Sequence, residues 1–258
     1  MSRIFSVALN TFREAVRDRV LYNLVFFALL MMTAAIFVGQ ISLGIETIVI
    51  VSLGLSAISL IGLLIAVFTG VGLVSKEMDK RTLYALLAKP ISRWEFLVGK
   101  FGGLVLTLTV NTAAMALGLF LALLFVKHSL DGGDAAVLVA VYFILLKIAI
   151  VVALALLFSC FTSQLLAILF TVGLYVAGLF IHEMRNLNGS KVGPAMQVFF
   201  SWISYVLPNF ENFNVMAAAA HGKPIPGTLI LQNTAYAALY CAIVLATASV
   251  VFSRRNLK

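Results

Sequence analysis

Lys147 stands alone in an apolar run, F143-I-L-L-K-I-A-I150. A charge at the centre of a membrane helix costs about 2.5–3.5 kcal/mol on insertion scales, so such a residue is by default functional. It is expected to line a cargo path or a subunit contact; the bland alternative is a stem that snorkels to an interface. Glu46, toward the outer side, is the nearest acid that could pair it. The other residues of chemical type are poorer candidates. His182-Glu183 resembles half of a zinc-protease motif, but Asn186 stands where H-E-x-x-H needs its second histidine. Asp131 and Asp134 flank two glycines, which is the composition of a plain turn. Ser56, in G54-L-S-A57, has no histidine at its depth, because His128, His182 and His221 fall in outer segments. Cys160 and Cys241 lie at different depths and read as two buried thiols. The expectation is no catalytic group and no metal site.

The elements that must position these residues are helices in a bilayer. Of 258 residues, 62% are hydrophobic and 11% charged, against about 45–50% and 25% in a soluble domain. The fold class is an all-α polytopic membrane protein, one transmembrane domain over 1–258. Six spans are expected at 20–39, 48–74, 97–126, 135–158, 164–181 and 229–252, each near the roughly 20 residues that cross a bilayer. Val20–Val38 is too long for a signal-peptide core and is preceded by mixed sequence, so a retained span is expected. The second and third runs exceed one crossing and must tilt or project into water. Gly62, Ala66 and Gly70 recur every four residues on span two, a face for close helix packing. Within one chain that is ordinary; at a two-fold axis it would be a dimer contact.

Orientation follows from Lys and Arg, which stay preferentially cytoplasmic. Arg3, Arg13, Arg17 and Arg19 precede span one. Lys76, Lys80, Arg81, Lys89, Arg93 and Lys100 lie between spans two and three, and Arg254, Arg255 and Lys258 follow span six. Only Lys127, Arg185, Lys191 and Lys223 stand opposite. Both ends of the chain are therefore expected in the cytoplasm. The net charge of +8 is mostly this asymmetry. It suits an anionic inner leaflet and gives no argument for nucleic acid. In residues 1–19, Ile4, Phe5, Ala8, Leu9, Phe12, Ala15 and Val16 fall at helical spacing, opposite Arg3, Asn10, Arg13, Glu14 and Arg17. That is an amphipathic helix for the membrane surface. The outer connection 182–228 contains AMQVFFSWISYVLP at 195–208, too short to cross and expected to be re-entrant.

One stretch breaks the oil: K76-E-M-D-K-R-T-L-Y-A-L-L-A-K-P-I-S-R-W-E-F-L-V-G-K100. Leu83, Leu86 and Leu87 form an apolar stripe, and Lys76, Asp79, Lys80 and Lys89 point elsewhere, so a short amphipathic helix is expected over 77–89. Pro90 stops it. Ser92-Arg-Trp-Glu95 then has capping-box spacing: Ser92 accepts from the amide of Glu95, and Glu95 reaches back to the amide of Ser92.

This stretch resembles the signature of type-2 ABC transporter permeases. The matching positions are Glu77, Thr82-Leu83, Leu86-Leu87, Pro90, Ser92-Arg93, Glu95 and Gly99-Lys100; a Gly often precedes the Thr in the family, where this chain has Arg81. The subgroup it looks most similar to serves copper-enzyme maturation and similar exporters. No residue fixes the cargo among lipid, peptide, drug, ion or maturation factor. The resemblance implies two permease chains, taken as a homodimer, above two cognate ATPase subunits that close on ATP and reopen on hydrolysis. The 77–89 helix would dock on one ATPase, with Glu77 as anchor, Arg81 as docking charge and Leu83, Leu86 and Leu87 as the buried stripe. The turn S159-C-F-T-S-Q164, carrying Thr162, would make a second contact. ATP and magnesium would sit in the partner: this chain has no G-x-x-x-x-G-K-[ST] loop and no cofactor of its own is expected. The implied location is a bacterial inner membrane. A polytopic membrane enzyme or a non-transporting adaptor is the rival reading. The enzyme would need convergent acids, His or Ser within the membrane, and an adaptor would leave the amphipathic helix and Lys147 without a task.

Overall fold

The computed structural model describes residues 3–16, 19–42, 44–79, 92–127, 134–181 and 207–254. Every regular element among them is helical. They are α1 (Arg3–Val16), α2 (Arg19–Ile41), α3 (Glu46–Asp79), α4 (Arg93–Lys127), α5 (Ala135–Ser159), α6 (Gln164–Leu179), a 3-10 turn (Glu211–Phe213), α7 (Met216–Ala220) and α8 (Gly227–Arg254). Among the described residues four helices are long and apolar enough to cross a membrane: Glu46–Leu73, Trp94–Lys127, Ala135–Ser159 and Gly227–Ser253. α2, 23 residues long, occupies the first expected span. We call the end where α3 stops and α4 starts the base, and the opposite end the top.

The second and third runs do overshoot a single crossing. α3 has 34 residues and α4 has 35, so each is about 50 Å long at 1.5 Å per residue. α6 goes the other way. Expected as a full span over 164–181, it forms a helix of 16 residues, about 24 Å against a hydrocarbon core of about 30 Å. Residues from 207 onward return to its end. Phe210 and Phe213 are buried, and the Phe210 amide donates to the carbonyl of Gly178 at 3.3 Å. Gly178 permits this approach: a Cβ there would meet the Pro208 carbonyl oxygen at 2.5 Å. Residues 207–220 thus fold back into the bundle above α6. Most of the expected re-entrant run, 195–208, lies outside the described residues.

α3 and α5 form the centre. Phe143, Ile144, Ile148 and almost all of Ile150–Leu156 are buried on α5. The apolar period alone cannot bring two such helices together in lipid, because lipid is as apolar as a leucine face; close packing at small residues can. A Cβ at Gly62 would run into Ile148, and one at Gly70 would stand 3.1 Å from Ala155 Cβ. Ala66, between them, is fully buried. The Gly62–Ala66–Gly70 face is therefore filled by α5 of the same chain. Overpacking such a seam costs about 1–3 kcal/mol. Gly62→Leu should lower the thermal midpoint of the detergent-solubilised protein, whereas Gly173→Leu, with open space around its Cβ position, should not. Equal shifts would contradict this seam.

Candidate functional site

Two places gather the residues of interest. At the base, Glu77 lies in the last turn of α3, while Arg81, Leu83, Leu86 and Leu87 lie outside the described residues. The chain resumes at Ser92. Its amide donates to Glu95 Oε2 at 2.9 Å, which is the backward half of the expected capping box. The Ser92 hydroxyl adds a bond to the same oxygen at 2.6 Å, where the sequence suggested it as an acceptor. The Ser92 carbonyl takes the first helical bond from Phe96, at 3.1 Å, so the start of α4 is fixed at this residue.

Just inside that cap, α1 lies against α4. A Cβ at Gly99 would stand 2.7 Å from Val7, and one at Gly103 would stand 2.5 Å from the Ala8 carbonyl oxygen. Thr11 and Ala15 are buried on the same side of α1. Lys100 is 2% exposed; its Nζ lies 3.6 Å from Glu14 Oε2 and 5.7 Å from the centre of the Phe96 ring. Glu14 is 46% exposed, so this ion pair contributes about 1 kcal/mol or less, and backbone-close packing carries the joint. Ile4 and Ala8 of the apolar stripe read from the sequence thus meet α4, together with Val7 and Thr11, which that stripe did not include. Phe5, 51% exposed, remains on the outside.

The turn between α5 and α6 reaches the same place. Thr162 donates its hydroxyl to the Phe158 carbonyl at 2.7 Å and its amide to the same carbonyl at 3.0 Å, closing the end of α5. Cys160, two residues before it, is buried in a cluster with Phe96, Leu97, Ala248 and Phe252, against which Val7 and Leu157 pack. The Phe96 and Phe252 rings stack with centroids 6.3 Å apart. One small core therefore ties together α1, the start of α4, the 159–164 turn and the end of α8.

The second place is the middle of α5. Lys147 is twelve residues from either end of a 25-residue helix, so about 18 Å from each. It is 8% exposed. Its Nζ donates to Ser59 Oγ at 2.6 Å and lies 5.8 Å from the centre of the Tyr175 ring. Tyr175 thus flanks the site on α6, and the charge of the Glu211 carboxylate acts on the ammonium from a distance. Glu46, the acid expected from the sequence, is not the partner: Ser59 lies thirteen residues further along α3, about 20 Å down the axis. The arrangement turns Lys147 into its own chain. It joins α3, α5 and α6. Tyr175 stacks obliquely on Phe210 at 5.0 Å, and the Asn209 amide donates to the Tyr236 hydroxyl at 3.0 Å, which holds the 3-10 turn on α8.

Of the remaining residues of chemical type, only some are described. Asp134 accepts from Lys127 at 3.0 Å and so pins the end of α4 to the start of α5. His182, Glu183 and Asp131 lie outside the described residues. Among the described residues no group of three His, Cys, Asp or Glu side chains could hold a metal ion.

A long projecting helix pair, a charged connection at its base and a chain folded back at its top are the frame on which comparison with known proteins bears. A family model described as ABC-2 family transporter protein matches residues 5–257. The chain belongs to that family. A search of curated proteins gave no match. The protein is thus the permease component of an ABC transporter, a multi-pass membrane subunit. Within this permease, sequence reasoning missed Ser59, Tyr175 and Glu211. One signal was local: from Pro208 to Asn214 the chain reads PNFENFN, with Phe210 and Phe213 three residues apart among polar ones.

Removing one partner of a buried hydrogen bond costs about 1–3 kcal/mol, while replacing both by apolar groups can be nearly neutral. Ser59→Ala should therefore lower the thermal midpoint of the permease more than Lys147→Met does. The double variant should resemble Lys147→Met alone. A Ser59→Ala variant as stable as the parent would remove Ser59 as the lysine's partner.

Proposed function

We propose that this permease is the membrane half of an ATP-driven exporter or extractor, working as two copies above two separate ATPase subunits in a bacterial inner membrane. The observation that carries the reading is the base of the bundle. The motif positions from Ser92 to Lys100 start α4 there, and the turn bearing Thr162 shares their hydrophobic cluster. A subunit docked on residues 77–89 and on the 159–164 turn would act on one connected structure. In this reading the spans number six, with α6 completed by residues 207–220. Both chain ends face the cytoplasm, as the Lys and Arg distribution requires. ATP and magnesium belong to the partner.

Affinity purification of the tagged chain from its membrane in mild detergent should bring an ATPase subunit at one copy per permease, with vanadate-sensitive hydrolysis. Isolation of the chain alone in several detergents would defeat the proposal. Leu83→Asp with Leu87→Asp should leave insertion intact and reduce both ATPase recovery and transport-linked hydrolysis at least tenfold; normal values for both would exclude the docking stripe. A reporter fused after Lys258 should be cytoplasmic. A periplasmic signal would overturn the six-span arrangement.

A further inference from the structure

The end of the motif at the base does something other than meet a partner. Gly99 and Lys100 close the stretch that resembles the ATPase-coupling signature, yet both face inward. Gly99 lies under Val7, and Lys100 is 2% exposed, with its ammonium toward Glu14 at the far end of α1. We propose that Gly99, Lys100 and Gly103 are positioning residues that fix α1 to α4 in a single register. On this basis α1, the start of α4, the 159–164 turn and the end of α8 move as one rigid foot during the ATP cycle. The inference rests on the proposed function.

The register argument is steric. At Gly99 and Gly103 the two helices touch where no side chain fits: added Cβ atoms would stand 2.7 Å from Val7 and 2.5 Å from the Ala8 carbonyl. Contacts this close depend on small residues at the crossing, and here glycine supplies the gap. Sliding α1 along α4 would carry Val7 off Gly99 and the Ala8 carbonyl off Gly103, toward the larger side chains one turn away on the same face, Phe96 in one direction and Thr107 in the other. It would also draw Glu14 away from Lys100. The cluster of Phe96, Leu97, Cys160, Ala248 and Phe252, with Val7 packed on it, extends the fixed contact to α5 and α8. Motion of the base therefore has no soft joint between α1 and α4.

A cross-link tests this. The Cβ position of Gly102 lies 3.8 Å from Ala8 Cβ, which is the mean separation across a disulfide. Ala8→Cys with Gly102→Cys would be oxidised in the assembled permease–ATPase complex in lipid vesicles, nucleotide-free and after vanadate trapping. The disulfide should form to the same extent in both states. The oxidised complex should keep at least half of the ATP hydrolysis of the reduced one. A disulfide confined to one state, or hydrolysis lost on oxidation and restored by reduction, would show that α1 moves against α4 and overturn the inference. Gly103→Leu provides the converse. The ATPase subunit should still co-purify, while disulfide yield from the added cysteine pair and coupled hydrolysis should each fall at least fivefold; unchanged values would also overturn it. Absence of an ATPase subunit from the parent complex would instead defeat the proposed function, and this inference with it.

Discussion

Helices in hydrocarbon gain little by exchanging lipid contact for contact with one another, so their association depends on how closely their backbones can approach. This permease meets that constraint with glycine at several of its joints. Gly54 admits Leu119 where α3 crosses α4, and Gly62 admits Ile148 where α3 crosses α5. Gly99 and Gly103 admit α1, and Gly178 admits the chain at Pro208 and Phe210. The buried centre around α3 and α5 follows from the first two, the seated α1 from the third and fourth, and the folded-back top from the last. A larger residue at any of these would force the facing atoms to shift, and a gap of about 0.5–1 Å already forfeits a quarter to a half of the dispersion well.

The same economy governs the charge of Lys147 in the middle of the bundle. An ammonium surrounded by aliphatic carbon would be expelled or neutralised. Lys147 is instead met by a serine hydroxyl from α3, an aromatic ring from α6 and the charge of a carboxylate from the 3-10 turn. No single helix could supply all three. The polar group that disfavours insertion also specifies which elements converge, because a different arrangement would leave it without its acceptor.

Much of this could be read from the chain before any coordinates. Composition required membrane helices. The period of Ile4, Ala8, Phe12 and Ala15 required an amphipathic α1, and the spacing of Ser92 and Glu95 marked the start of α4 to the residue. What escaped was long-range. Periodicity shows that a face is apolar, but in a bilayer a face toward lipid and a face toward another helix look alike, so the seat of α1 on Gly99 and Gly103 was hidden. Ser59 and Lys147 are 88 residues apart, and no local pattern joins them. The length of α6 was misleading for a related reason. Ala177 to Ile181 is as apolar as the helix before it, and only the packing of Pro208 and Phe210 on Gly178 shows that the helix ends there.

The overshoot of α4 has a geometric consequence. A straight helix of 35 residues is a rod about 52 Å long, well over the thickness of the oil it crosses. Pivoted near its lower end, such a rod acts as a lever. A rocking of only about 5° at the base would sweep the opposite tip through roughly 4–5 Å, nearly one helical pitch. A displacement of that size exceeds what side-chain rotamers absorb. A small rotation about one end of such a rod would therefore displace its other end by several times what it moves the first.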